Sequence, residues 1–195
     1  AALGFAAGDV YANIQNAVGT SKDDLFIISA GAVANTVDGG AGNNTVSYLN
    51  ETLAVTVNLA SGRGYYTSGA GVQDTLTNIQ NATGGSGDDM FVASNVANKF
   101  EGGLGSNTVS YAGTAGNNTI DLATANATAT GTGFASGDTF SNIQNLIGGN
   151  GTDIFYASAV ANNLDGNGGV NTVDYSKSTD SFGVIVDLVA NKGYG

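Results

Sequence analysis

The chain has 195 residues, no cysteine, no histidine, no proline and a formal net charge of −11. Without cysteine it can form neither disulfides nor thiolate metal sites, and without histidine it lacks the usual zinc ligand and general base. The excess of acid argues against nucleic acid and anionic membrane surfaces as partners, and no apolar run approaches the roughly 18 residues of a membrane-spanning helix.

The composition predicts a folded protein with many tight turns. Apolar residues make up 42% of the chain, charged residues only 11%, and glycine occupies 31 positions. A disordered chain is usually richer in charge and poorer in apolar residues. The acidity favours a cationic partner, of which a metal ion is the simplest, although it could also serve solubility alone.

The first third of the chain contains four segments of nine residues with a common pattern. They are GFAAGDVYA (4–12), GTSKDDLFI (19–27), AGAVANTVD (30–38) and GGAGNNTVS (39–47). Glycine in the front half permits positive φ and tight turns, position six is Asp or Asn, and position eight is a large apolar residue. Each nonapeptide is therefore predicted to form one turn and one short strand with a single buried face.

The same words return twice along the chain. NIQN begins at Asn13, Asn78 and Asn142, at intervals of about 65 residues, and TVSY, TVSY and TVDY follow in phase. The spacing predicts one solenoid over residues 1–195, built from three repeats at approximately 1–66, 67–130 and 131–195.

Two nonapeptides should form one coil of about 18 residues, with position eight buried between two facing sheets. We therefore expect an all-β, right-handed parallel β-solenoid (a β-roll or β-helix) of about 11 coils, since no segment holds a helical period. The predicted buried set is Tyr11, Phe26, Val37, Val46, Leu76, Phe91, Phe100, Val109, Phe140, Phe155, Leu164 and Val173.

Two segments, GGSGDDMFV (Gly84–Val92) and GGNGTDIFY (Gly148–Tyr156), fit the nonapeptide G-G-x-G-x-D-x-U-x at every fixed position. With the long repeat around them, they make the chain resemble the RTX, or hemolysin-type calcium-binding, repeat proteins, and long-repeat RTX-like adhesins and surface proteins in particular. The resemblance implies Ca²⁺ held between stacked turns by position-six aspartates and turn carbonyls, in a bacterial protein that folds after secretion.

The first nonapeptide and the second aspartate-bearing one keep a constant spacing in every repeat, which pairs Asp9 with Asp24, Asp74 with Asp89 and Asp138 with Asp153. If NIQN shortens one coil, each pair lies on neighbouring turns of one edge and forms a calcium site. The alternative is that these aspartates only cap turns. Weaker candidate ligands are Asn44, Asn107, Asn171, Asp23 and Asp88.

Position six is Asn in the remaining nonapeptides, and asparagine brings no charge to calcium. Asparagine ladders can stabilise stacked coils without metal, so those edges are expected to bind calcium weakly or not at all.

The sequence favours an extracellular, calcium-stabilised structural or adhesive solenoid at the cell surface, and not an enzyme. The alternative is an RTX-type secretion and folding module of a larger secreted enzyme or toxin. The two ends of the chain stand in the same phase of the long repeat, so end-to-end self-association into a filament or surface layer is expected, unless the sequence is a fragment of a longer array.

Overall fold

The computed structural model describes residues 9–31, 33–68, 72–124, 127–179, 181, 183–190 and 192–194. Over these ranges the protein is all-β, with short strands and no helix. Consistent with this, no membrane-spanning helix occurs in the described ranges.

Most strands are the tails of the nonapeptides, where alternation of apolar and polar residues favours a half-buried strand. The strands in chain order are β1 (Asn16–Val18), β2 (Leu25–Ile27), β3 (Thr36–Asp38), β4 (Thr45–Ser47), β5 (Val55–Asn58), β6 (Arg63–Tyr66), β7 (Asp74–Thr77), β8 (Asn81–Thr83), β9 (Met90–Val92), β10 (Lys99–Glu101), β11 (Thr108–Ser110), β12 (Asn118–Asp121), β13 (Ala127–Gly131), β14 (Thr139–Ser141), β15 (Asn145–Ile147), β16 (Ile154–Tyr156), β17 (Leu164–Asp165), β18 (Thr172–Asp174), β19 (Ile185–Asp187) and β20 (Lys192–Tyr194).

The chain alternates between two sheets of nine strands each. The first sheet has the order β1-β3-β7-β6-β5-β9-β11-β15-β17, and the second has the order β18-β16-β12-β13-β14-β10-β8-β4-β2. A separate antiparallel hairpin, β19–β20, follows near the C-terminus. The all-β architecture of largely parallel sheets is that of a β-roll, as the sequence predicts.

The predicted coil length is confirmed where consecutive nonapeptides stack. Phe91 of β9 is in register with Val109 of β11, and Phe155 of β16 is in register with Val173 of β18, so each partner follows after two nonapeptides. Position-eight residues fill the space between the sheets, so burial of apolar area holds the two sheets together. Fully buried examples are Val37, Val46, Phe91, Phe100 and Val109.

Two antiparallel insertions interrupt the parallel stacking, which the expectation of a parallel solenoid did not include. Strands β5, β6 and β7 form a three-stranded meander in the first sheet, and β12, β13 and β14 form the equivalent meander in the second. The meander strands take up positions in one sheet only. The rod therefore has nine strand positions in each sheet, not about 11 coils.

The predicted buried set fails at the ends of the rod. Tyr11 is 67% exposed, while Phe26, Leu164 and Val173 are only half-buried. A residue at position eight is buried by the coils on both sides of its own, and a terminal coil has a neighbour on one side only.

Candidate functional site

Position six of each nonapeptide lies in a turn between the two sheets and bonds to the neighbouring coil. Asn107 is fully buried; its Oδ1 accepts a hydrogen bond from the Asp89 N–H at 2.9 Å, and its Nδ2 donates to two turn carbonyls. We call this row of side-chain-to-backbone bonds the amide ladder. The same 2.9 Å bond joins Asn44 to the N–H of Asp24 and Asn171 to the N–H of Asp153.

Asp89 and Asp153 are buried aspartates whose oxygens all accept amide hydrogens. Asp89 accepts from the Gly85 N–H of its own turn at 2.7 Å and from the Val55 N–H of the neighbouring coil at 2.8 Å. Asp153 accepts in the same way from the Gly149 N–H and the Asn118 N–H. These bonds cap the turn and join it to the next coil, as the capping interpretation of the sequence expects.

Asp74 and Asp138 form a second buried pair of equivalents, with a tyrosine as partner. Asp74 accepts a hydrogen bond from the Tyr48 hydroxyl at 2.8 Å, and Asp138 accepts one from the Tyr111 hydroxyl at 2.7 Å. Both tyrosines are fully buried, which confirms their predicted place in the core. Burial, followed by the nearby carboxylate, raises the pKa of each tyrosine well above its usual value.

The prediction that Asp74 and Asp89 lie on neighbouring turns is wrong, and so is the same prediction for Asp138 and Asp153. Strands β6 and β5 separate the strand of Asp74 from the strand of Asp89, and β13 and β12 separate the other two. Three strand spacings amount to about 14 Å. Calcium ligands lie within about 2.6 Å of the ion, so neither pair can share one ion.

The remaining predicted ligands are more exposed or carry no charge. Asp9 is exposed and precedes the first described strand, while half-buried Asp24 accepts from the Thr20 N–H of its own turn at 2.6 Å. Asp23 and Asp88 are exposed at position five, and each accepts one backbone N–H from the next turn. Their roles as calcium ligands stay predictions.

The NIQN word is part of the amide ladder, which the sequence did not reveal. Gln80 accepts the Asn44 N–H, and Gln144 accepts the Asn107 N–H, each at 2.8 Å. The first asparagine of the word has positive φ at all three occurrences, 58° at Asn13 and 55° and 54° at its equivalents. Asparagine tolerates this left-handed conformation better than most residues, which gives the word a structural reason.

Glu51 is a buried acid that the repeat pattern did not single out. Its carboxylate accepts hydrogen bonds from the hydroxyls of Ser29 and Tyr66. The equivalent residues after the next two repeat tyrosines are Thr114 and Ser178, so an alignment of the repeats would have marked Glu51 as the only acid at this position.

Asp138 supplies a prediction of pH dependence. Burial raises its pKa to about 6 from 3.8. The folded protein then holds a proton that the unfolded chain has lost, so this stabilisation is complete below about pH 4 and disappears as pH rises through 6. In calcium-free buffer we expect the free energy of unfolding to fall between these values, by up to about 3 kcal/mol from this group. Thermal melts at each pH would measure it.

Asp138→Asn should remove that part of the pH dependence, because asparagine keeps an oxygen for the Asn98 N–H but does not titrate. The exposed Asp88→Asn is the matched control. Identical pH profiles for the unchanged protein and Asp138→Asn would contradict the prediction.

The described residues contain no group of three or more acidic side chains able to hold a metal ion. Around Asp89 the position-six oxygens face amide hydrogens, and the Gly85 carbonyl accepts the Leu104 N–H at 3.0 Å. The shared-ion arrangement expected from the constant spacing of the aspartates therefore does not fit this structure.

The model of the RTX calcium-binding nonapeptide repeat (4 copies) matches residues 27–48 and 147–181. The second range contains the nonapeptide 148–156, whereas 84–92 lies outside both. The presence of this repeat is thereby confirmed, and Ca²⁺ is the ion that such repeats bind. No curated protein matches the chain.

Proposed function

We propose that the RTX repeats of this chain build an extracellular, calcium-stabilised structural or adhesive β-solenoid, right-handed and composed of three repeats, and not an enzyme. RTX repeats are typical of secreted proteins, which supports the location. The acidic surface suits a cation as partner.

The observation that carries the proposal is the use of the same buried groups in successive repeats. The Tyr48–Asp74 bond recurs as Tyr111–Asp138, and Asp89 and Asp153 make matching bonds to their own turns. A catalytic site needs a group that the fold leaves available for substrate. Here the buried aspartates join one coil to the next, which is the role of a structural residue.

End-to-end self-association is part of the proposal. The first coils expose apolar side chains such as Tyr11 and Ile14, and the last ones expose Ile185, Leu188 and Val189. The terminal strands of both sheets also carry backbone groups on an open edge, which favours pairing with another chain.

Removal of calcium is expected to lower the melting temperature without unfolding the chain. An ion that binds only the folded state stabilises it by mass action, whereas the amide ladder joins the coils with or without metal. Melting followed by far-UV circular dichroism, in chelator and in millimolar Ca²⁺, would measure both effects, with Mg²⁺ as the control.

Two results would count against this account. Equal melting temperatures in chelator and calcium, together with no heat on calcium titration, would remove the calcium-stabilised role. Complete loss of strand signal in chelator would show that the ladder cannot hold the coils alone.

A further inference from the structure

Each contact between successive repeats contains the same set of groups, which we call the seam. At the first seam the Tyr48 hydroxyl and the Asn35 N–H both donate to Asp74, at 2.8 and 2.7 Å. At the second, Tyr111 and the Asn98 N–H both donate to Asp138, at 2.7 Å each. The aspartate always comes from the following repeat.

Glycine or alanine makes room for the tyrosine hydroxyl at the seam. A Cβ at Gly64, on β6 beside Asp74, would lie 1.8 Å from the Tyr48 oxygen. The register of the hairpins makes Ala129 and Gly193 the equivalents of Gly64, because they face Ile120 and Val186 as Gly64 faces Val57.

A third seam is half built at the C-terminal end. Tyr175 is the equivalent of Tyr48, and a Cβ at Gly193 would lie 2.5 Å from its hydroxyl oxygen. Asn162 is the equivalent of Asn35 and Asn98. Among the described residues neither the Tyr175 hydroxyl nor the Asn162 N–H has a hydrogen-bond partner. The two donors thus lack the carboxylate that accepts from them at the other seams.

A cavity of about 400 Å³ occupies the place of that carboxylate. Its lining includes Asn162, Leu164, Tyr175, Val184 and Gly193. Leu164 lies on β17, the last strand of the first sheet, and is half-buried. Its equivalents Val37 and Phe100 are covered by Leu76 and Phe140 on the strands that carry the seam aspartates.

The N-terminal segment has the sequence that fills the second seam. GFAAGD (residues 4–9) differs from GFASGD (133–138) at one position, which places Asp9 as the equivalent of Asp138. Asp9 is exposed and Tyr11 is 67% exposed. A seam aspartate without its tyrosine therefore stands at one end of the rod, and a seam tyrosine without its aspartate stands at the other.

We propose that two copies of the chain join head to tail by a seam in which Asp9 of a second copy accepts hydrogen bonds from Tyr175 and the Asn162 N–H. This inference rests on the proposed self-association and names the groups that form it. Val10 and Tyr11 of the second copy add a strand beside β17, and Tyr11 covers Leu164. The occupant of the cavity is thus a second copy of this chain.

Tyr175→Phe is expected to weaken self-association of the 195-residue protein by about 10- to 100-fold, the usual effect of losing one buried hydrogen bond to a carboxylate. Its melting temperature should stay that of the unchanged monomer. Tyr48→Phe is the matched control, because it should lower the melting temperature and leave association unchanged. Sedimentation velocity in millimolar Ca²⁺ over a range of concentrations measures the association. Unchanged association of Tyr175→Phe would overturn the seam.

A disulfide tests the geometry independently of stability. Tyr11→Cys with Leu164→Cys, in a chain that has no other cysteine, places the two sulfurs side by side only across the proposed joint. Oxidation should give a ladder of covalent oligomers, whereas either single variant gives dimers at most. Val37→Cys with Leu76→Cys, which are register partners, should close within one chain.

The results separate the seam from the proposed function. Association without a covalent ladder would overturn the seam and leave end-to-end association standing at other groups. A strict monomer at high concentration would overturn both the seam and the proposed self-association. The calcium-stabilised structural role would still be decided by the melts in chelator.

Discussion

Phe100→Ala is expected to lower the free energy of unfolding by about 3–5 kcal/mol, the usual cost of removing a buried phenylalanine side chain. Phe100 is fully buried in the second sheet, and its ring centroid lies 5.4 Å from that of Phe91 in the first sheet and 6.3 Å from that of Phe140 on the next strand. Truncation therefore removes contacts between the sheets and along the rod, and leaves a cavity that short strands cannot close.

Urea unfolding followed by circular dichroism would measure this loss. Leu104→Ala is the control, because Leu104 is 71% exposed in the following turn and its truncation should change stability by less than about 0.5 kcal/mol. A similar effect of both changes would mean that the position-eight stack does not hold the sheets together.

Asn44→Ala is expected to cost about 2–4 kcal/mol, because it removes a fully buried member of the amide ladder and leaves its partners unpaired. The Asp24 N–H loses its acceptor at 2.9 Å, and the Asn78 carbonyl loses its donor at 2.9 Å. A buried polar group left without a partner costs about 1–3 kcal/mol. The loss should appear in chelator and in calcium alike, since no ion takes part in these bonds.

Asn43→Ala provides a matched control at the adjacent position. Asn43 is exposed, and its side chain accepts one hydrogen bond from Asn81 at 3.0 Å. Its replacement should cost less than about 1 kcal/mol. If calcium restored the stability of Asn44→Ala but not of the unchanged chain, the ladder would be a metal-dependent feature and the structural account would be wrong.

The amide ladder explains how a chain with RTX repeats can replace many position-six aspartates. An asparagine at this position both accepts from the N–H of one coil and donates to a carbonyl of another, as Asn107 does. An aspartate can only accept, and a stack of them accumulates negative charge that a cation must offset. Alternating Asp89 with Asn107 and Gln144 satisfies the turn within the protein itself.

The seams add a second means of specifying the order of repeats. Each seam buries one tyrosine hydroxyl and one carboxylate, and leaving either without the other places an unpaired polar group in the core. Repeats that join out of phase would incur that cost. Register along the rod is thus set by polar pairs as well as by the apolar stack.

The sequence by itself determined the coil. Glycine in front, Asp or Asn at position six and an apolar residue at position eight specify a turn and a half-buried strand, because these preferences are local. The stacking of every second nonapeptide, the burial of Val46 and Phe91 and the presence of the RTX repeat all follow from that pattern.

Only the tertiary structure decided which coils are neighbours. The segments beginning at Val55 and Asn118 read as ordinary strands, but they pair with the strands that follow them and form meanders. These meanders separate Asp74 from Asp89 and bring the Tyr48 hydroxyl to the Asp74 carboxylate. Strand pairing between distant segments depends on long-range contacts that no local preference encodes, so the constant spacing of the aspartates along the chain could not show that their carboxylates lie apart.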